Sequence, residues 1–159
     1  MKDDNKILKL IYTFFLGLLL AIFIGIGTNT FYESPSMPTY PIELNSYGEK
    51  MSDEQLALQR DYDKKMDTYN NENITIYNRN VSIITLSAAT ILLALSLLLE
   101  KKKMKIITDG VMLGGLFTLL YSLGRGFSAQ DNSYSFIAAT VGLIIVLYLG
   151  YHRFVRKQK

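Results

Sequence analysis

Few residues of this chain combine charge or basicity with an apolar setting where they could do chemistry. Asp109 lies within an otherwise apolar stretch, Arg125 lies at its far end, and the single histidine, His152, follows a later stretch. Charged groups inside a membrane are costly, so they face protein or water and find partners. We expect Asp109 to pair with Lys105 or another nearby basic residue, with a proton or cation contact as the alternative. Arg125 is expected to extend toward the headgroups or to pair with Glu33.

Composition excludes several other kinds of chemistry. The 159 residues include no cysteine and one histidine, so disulfides, thiolate metal sites and multi-histidine metal clusters are excluded within one copy. Serines and threonines occur in the apolar stretches, but no histidine lies at the same depth to activate one as a nucleophile. No glycine-rich phosphate loop is present. We therefore predict no catalytic, cofactor-binding or metal-binding residues, and a protein that is not an enzyme.

The elements that must position Asp109 and Arg125 are four apolar blocks separated by charged segments. A bilayer core of roughly 30 Å needs about 20 apolar residues as a helix. Stretches such as residues 16–24 are apolar on all sides, whereas a surface helix of a soluble bundle keeps a polar face. We predict an all-α integral membrane protein, a four-transmembrane-helix antiparallel bundle in one membrane domain, residues 1–159. The predicted spans are about residues 8–30, 79–99, 106–124 and 134–152.

The first block also resembles the apolar core of a secretory signal peptide, because Lys2, Lys6 and Lys9 precede it. It is longer than the usual core of about 7–15 residues, and residues 25–27 are the nearest approach to a cleavage site. We therefore predict a retained anchor.

Charge outside the spans predicts the orientation. The two terminal tails and residues 100–105, counted with Asp109, hold 11 basic and 4 acidic residues, and the remaining segments hold 6 basic and 10 acidic. Basic residues close to span ends stay on the cytoplasmic side. We predict a plasma-membrane protein with both termini cytoplasmic and residues 31–78 outside. The basic clusters could instead bind anionic lipid or nucleic acid, but we favour the topology signal and predict no nucleic-acid partner.

The predicted extracytoplasmic segment divides into two pieces. The first contains all three prolines, Pro35, Pro38 and Pro41. Each proline fixes its own φ and disfavours helix at the preceding residue, so this piece is expected to be extended. The second begins with a capping box at Ser52 and Gln55.

After this capping box, the apolar residues Leu58, Tyr62, Met66 and Tyr69 recur at spacings of 4, 4 and 3, which predicts an amphipathic helix. They form a possible interaction face, either with the proline-rich piece or with a second copy or partner. Residues 70–73 have poor helix propensity. We expect them to break this helix before the second span, with one continuous helix as the alternative.

Small residues recur at helical spacing in three spans, which suits close helix packing in lipid. They could line the interior of the bundle or a contact between copies. These residues are Gly17, Ala21 and Gly25 in the first span, Gly110, Gly114 and Gly115 in the third, and Ala138, Gly142 and Gly150 in the fourth.

Two functional hypotheses follow from these features. The first is a small scaffold or accessory subunit in the bilayer, which presents its outer segment to a membrane-protein partner or a second copy. The alternative is an oligomeric channel or carrier that uses Asp109 and Arg125. The span midplanes are nearly free of polar groups, which favours the scaffold.

Overall fold

The computed structural model describes residues 4–44, 51–100 and 104–155, and within these ranges all regular secondary structure is helical, with no strand. Four helices are long and apolar enough to cross a membrane, which confirms that part of the predicted fold by length and composition. They are Asn5–Phe31, Asp53–Glu100, Lys105–Phe127 and Asn132–Arg153. Several basic residues used for the orientation prediction, at 2, 101–103 and 156–159, lie outside the described residues.

The described α-helices are α1 (Asp4–Phe31), α2 (Asp53–Thr68), α3 (Ile74–Glu100), α4 (Lys105–Phe127) and α5 (Asn132–Gly150). A 3-10 turn covers Ile42–Leu44, and single π turns cover Tyr69–Asn73 and Tyr151–Val155. We call the end of the spans where α1 ends and α3 begins the loop end. The opposite end, where α3 ends and α4 begins, is the tail end.

The helix starts follow the local sequence. The predicted capping box at the start of α2 is present, with the Ser52 hydroxyl accepting from the Gln55 N–H and the Gln55 side chain accepting from the Ser52 N–H. At the start of α5, the Asp131 carboxylate accepts from the Tyr134 N–H at 3.0 Å. Each contact satisfies N–H groups that the first helical turn leaves without a partner.

The predicted break at residues 70–73 is wrong, because the helix continues from Asp53 to Glu100 without interruption. The chain widens there into a π turn, in which the Ile74 N–H bonds to the Tyr69 carbonyl five residues earlier. Helix propagation is cooperative, so a segment of low propensity between a capped helix and a long apolar one stays helical. The π turn, which accommodates one extra residue, lies where the helix propensity is weak.

The spans pack around α4, which contacts α1, α3 and α5. A Cβ added at Gly17 of α1 would lie 2.9 Å from the Leu113 Cβ and 3.1 Å from the Gly114 N, so the two backbones approach closely there. Gly115 makes similar room for Leu93 of α3. Gly17 and Gly115 therefore line the interior of the bundle, which is one of the two alternatives predicted for the small residues.

The four spans do not form a closed ring, because α1 and α5 do not contact each other within the described residues. α5 packs loosely, and a crevice of about 270 Å³ separates it from the tail-end half of α3. Gly25 and Gly150 of the predicted small-residue faces meet nothing within 4 Å. For these two positions the interior expectation is wrong, since small residues matter only where a second helix crosses.

Candidate functional site

The most elaborate polar cluster among the described residues surrounds Arg125 at the loop end. Arg125 lies in the last turn of α4, and its guanidinium carbon lies 5.2 Å from the ring centre of Tyr77 and 5.8 Å from that of Tyr121. Its Nη1 donates to the Asn78 Oδ1 at 2.9 Å. Aromatic faces attract a guanidinium and confine its plane. The side chain is therefore held within the cluster by α3 and by its own helix.

Tyr77 joins this cluster to α1. Its hydroxyl donates to the Asn29 Oδ1 at 3.2 Å, and its ring stacks on that of Tyr32 with centres 5.4 Å apart. The Asn80 side chain donates to the Tyr32 hydroxyl at 2.7 Å. Because these contacts link residues about 48 positions apart, they fix the end of α1 against the start of the span in α3.

Asn78 is buried, and both the oxygen and the nitrogen of its side-chain amide form hydrogen bonds. Its Oδ1 accepts from Arg125, and its Nδ2 donates to the Ser128 carbonyl at 3.1 Å, just beyond the end of α4. Such bonds satisfy a buried amide that would otherwise destabilise the fold. Sequence reasoning missed Asn78, whose only signal was a polar amide at the edge of an apolar block.

A cleft of about 440 Å³ opens beside Arg125, and Glu33 lies on its wall. The predicted pairing of Arg125 with Glu33 is wrong within the described residues, because the guanidinium bonds to Asn78 and no ion pair with Glu33 forms. Both charges nevertheless line the same cleft. Its lining residues are Asn29, Glu33, Ser34, Ile74, Tyr77, Asn78 and Arg125.

Asp109 lies at the tail end, in a separate polar contact. It forms an ion pair with Arg153, whose other terminal nitrogen contacts the Met112 sulfur at 3.2 Å. The expected pairing with a nearby basic residue is met by Arg153 of the segment after α5, not by Lys105. Asp109 and Arg125 are 16 residues apart on α4, or about 24 Å at 1.5 Å per residue, so the structure does not bring them together.

His152 follows α5 near this ion pair and is half-buried. Its ring centre lies 6.2 Å from that of Tyr148, and its Nδ1 is buried with no hydrogen-bond partner in the described structure. The part of the chain that the structure describes holds no group of acidic or histidine side chains suited to a metal ion.

Two serines join α3 to α4 in a way that spacing alone did not reveal. The Ser82 hydroxyl donates to the Ser122 carbonyl, and the Ser122 hydroxyl donates to the Ser82 carbonyl, both at 2.8 Å. Both serines are fully buried. These reciprocal hydrogen bonds satisfy two hydroxyl groups that would otherwise lie without partners in an apolar interior.

The predicted interaction face lies partly against the chain itself. Leu58, Tyr62, Met66 and Tyr69 are all half-buried, while most other residues of α2 are exposed. The Tyr62 ring meets that of Tyr40 edge-on at 5.2 Å. We call residues 32–44 the strap, since this piece with its three prolines crosses the apolar face of α2.

No family model, curated protein or solved structure matches the chain. The functional argument therefore depends on the geometry of this molecule.

Proposed function

We propose that this chain is a small multi-pass scaffold or accessory subunit of the cytoplasmic membrane, and not an enzyme. In this proposal, residues 32–73 form the surface that it presents to a protein partner or to a second copy. The observation that carries the proposal is that the described residues of this segment, 32–44 and 51–73, have a defined structure of their own, well beyond what a connection between two spans requires.

Three kinds of contact support that structure. The capping box starts α2, the Gln55 side chain donates to the Glu43 carbonyl at 3.0 Å, and Tyr40 packs against Tyr62. Leu44, in the 3-10 turn that contacts α2, is buried. A simple connecting loop would not repay the conformational entropy of ordering these residues, so the segment is suited to recognition.

The surface available to a partner consists of the apolar side chains that stay exposed on the strap and on α2. Ile42 is 79% exposed, and Met37 and Leu56 also project their apolar side chains into solvent. Exposed apolar side chains grouped on one structured segment are typical of protein contacts. We expect a partner to cover these residues, because the predicted interaction face of α2 is already half-buried and its Tyr62 packs on Tyr40 of the strap.

The orientation is part of the same proposal. Basic residues close to the tail end of the spans, such as Lys105 and Arg153, favour that end in the cytoplasm. Both termini would then be cytoplasmic, and residues 32–73 would face the outside.

The alternative, an oligomeric channel or carrier that uses Asp109 and Arg125, has less support. Each of these residues bonds to a neighbour at its own end of the spans. Of the buried hydroxyls in the spans, those of Ser82, Thr118 and Ser122 donate to backbone carbonyls. A transport path normally needs polar groups that a solute or ion can reach at mid-membrane depth.

Extraction in mild detergent followed by native mass spectrometry tests the scaffold proposal. We expect a defined complex from the wild-type protein and its loss in the Ile42→Asn and Leu56→Asn double variant. The matched control is Thr39→Asn with Ala57→Asn, which introduces the same residue at exposed positions without removing a large apolar side chain. A complex that survives the first variant unchanged would exclude this surface, and a wild-type monomer would exclude the proposal itself.

A further inference from the structure

The cleft beside Arg125 is not lined by Met37, Ile42 or Leu56, which we expect a partner to cover, and it has the features of a ligand site. Its volume of about 440 Å³ falls within the range of roughly 300–1,000 Å³ that small-molecule sites occupy. Arg125, a fixed cation, and Glu33, an acid, both line the cleft. A cleft between two opposite charges that do not pair suits a ligand that bears both charges.

The Arg125 guanidinium has N–H donors that lack acceptors within the described residues. Within the described residues, Arg125 makes one hydrogen bond, from Nη1 to Asn78, and its buried Nε has no acceptor. A guanidinium carries five N–H donors in a planar fork, which matches the oxygens of a phosphate. Because Tyr77 and Tyr121 flank the group and Asn78 holds one nitrogen, it cannot readily turn to reach a distant acceptor.

Glu33 supplies the complementary group. It follows the end of α1, it is exposed, and its carboxylate has no hydrogen bond or ion pair in the described part of the chain. A carboxylate accepts hydrogen bonds from a primary ammonium, which offers three donors. Asn29 and Ser34, both polar residues, also line the cleft.

The position of the cleft indicates where such a ligand would come from. Tyr32 follows the end of α1, and Tyr77 and Tyr121 lie near the loop ends of α3 and α4. Tyrosine residues at span ends mark the level of the lipid headgroups, because their rings are amphipathic. A headgroup is therefore present beside this cleft at high local concentration.

We propose that the cleft binds a group in which a phosphate and a primary ammonium are joined by a short linker, as in a phosphoethanolamine headgroup of a phospholipid. Arg125 binds the phosphate oxygens, and Glu33 binds the ammonium. The same chemistry occurs in soluble phosphoethanolamine, so the test must separate the two sources.

The test is lipid binding to the purified, delipidated full chain, followed by native mass spectrometry. The ligands are phosphatidylethanolamine, phosphatidylglycerol, which lacks the ammonium, and phosphatidylcholine, whose quaternary ammonium cannot donate. We expect phosphatidylethanolamine to bind at least tenfold more tightly than the other two. Addition of soluble phosphoethanolamine tests whether the headgroup suffices, because competition would assign the site to the headgroup and its absence would assign it to the intact lipid.

Two variants and a control make the roles of the charges separable. Arg125→Gln is expected to weaken binding of all phosphate ligands by tenfold or more. Glu33→Gln is expected to abolish the preference for phosphatidylethanolamine over phosphatidylglycerol while leaving phosphatidylglycerol binding unchanged. The control, Arg60→Gln, removes an exposed charge from the same segment outside the cleft and should change neither quantity.

The selectivity of the Glu33 variant keeps the proposal testable even if Arg125→Gln fails to fold, because the exposed Glu33 side chain forms no hydrogen bond or ion pair within the described residues. Equal binding of the three lipids to the wild-type protein would overturn the proposal. A Glu33→Gln protein that retained the full preference for phosphatidylethanolamine would overturn it as well.

Discussion

The close approach of α1 to α4 at Gly17 makes a quantitative prediction about a single methyl group. A Cβ at this position would lie 2.9 Å from the Leu113 Cβ and 3.1 Å from the Gly114 N, whereas carbon atoms in contact prefer about 3.5–4.0 Å. Gly17→Ala therefore requires a local separation of about 0.6–1 Å. Because one of the atoms met is backbone, no rotamer change relieves the overlap. Overpacking of this kind costs about 1–3 kcal/mol.

Gly25→Ala is the matched control, because it makes the same change in the same helix where nothing lies within 4 Å. Replacing a helical glycine by alanine gains about 0.5–1 kcal/mol when no clash occurs. This gain applies at both positions of the same helix and cancels in the comparison. The two substitutions should therefore differ in unfolding free energy by the overpacking cost of about 1–3 kcal/mol, with Gly17→Ala the less stable.

The chain contains no cysteine, so cysteines introduced at Asn5 and Lys105 can carry a pair of fluorescent dyes that reports the separation of α1 and α4. Titration with a denaturing detergent then gives the unfolding midpoint of each variant. A Gly17→Ala protein as stable as Gly25→Ala would refute the close approach of these two helices.

Two further predictions concern contacts between distant parts of the chain. Deletion of Asn71 should convert the π turn to regular helix and rotate α2 by about 100° relative to α3. Cysteines at positions 40 and 62, where the two rings now meet, should then no longer be joined by a short bifunctional thiol reagent, whereas Asn71→Ala should keep this cross-link. A cross-link that survives the deletion would refute a fixed register. Ser82→Ala and Ser122→Ala should each lower the unfolding free energy by about 0.6–1.7 kcal/mol, because each removes a hydroxyl that donates to the backbone carbonyl of the other serine. A single substitution at either position without any loss of stability would refute the reciprocal pair.

Local patterns were sufficient to predict the helices. The four candidate spans follow from the lengths of the apolar blocks, and the start of α2 follows from Ser52 and Gln55. The half-burial of Leu58, Tyr62, Met66 and Tyr69 matches their spacing. Each of these features depends on residues within one or two helical turns, so hydrophobicity and capping decide it without reference to the rest of the chain.

The partners of the charged residues were decided only by the tertiary structure. Arg125 was expected to extend toward the headgroups or to pair with Glu33, and it bonds to Asn78. Asp109 was expected to pair with Lys105 or another basic residue of the same side, and the structure selects Arg153 after α5. Sequence can place a charge at the end of a span, but which polar group it reaches depends on how the helices rotate and cross. The cleft beside Arg125 exists only because α1 and α4 end beside the start of α3.

The remaining difference concerns the segment at residues 70–73 and the small residues of the spans. Low helix propensity predicted a break, yet the folded chain keeps one helix from Asp53 to Glu100 and accommodates the weak segment as a π turn. Likewise, Gly17 and Gly25 share one helix face, but only Gly17 lies where α4 crosses. Propensity and spacing are properties of one helix, whereas continuity and close approach depend on the surfaces that a second element offers to it.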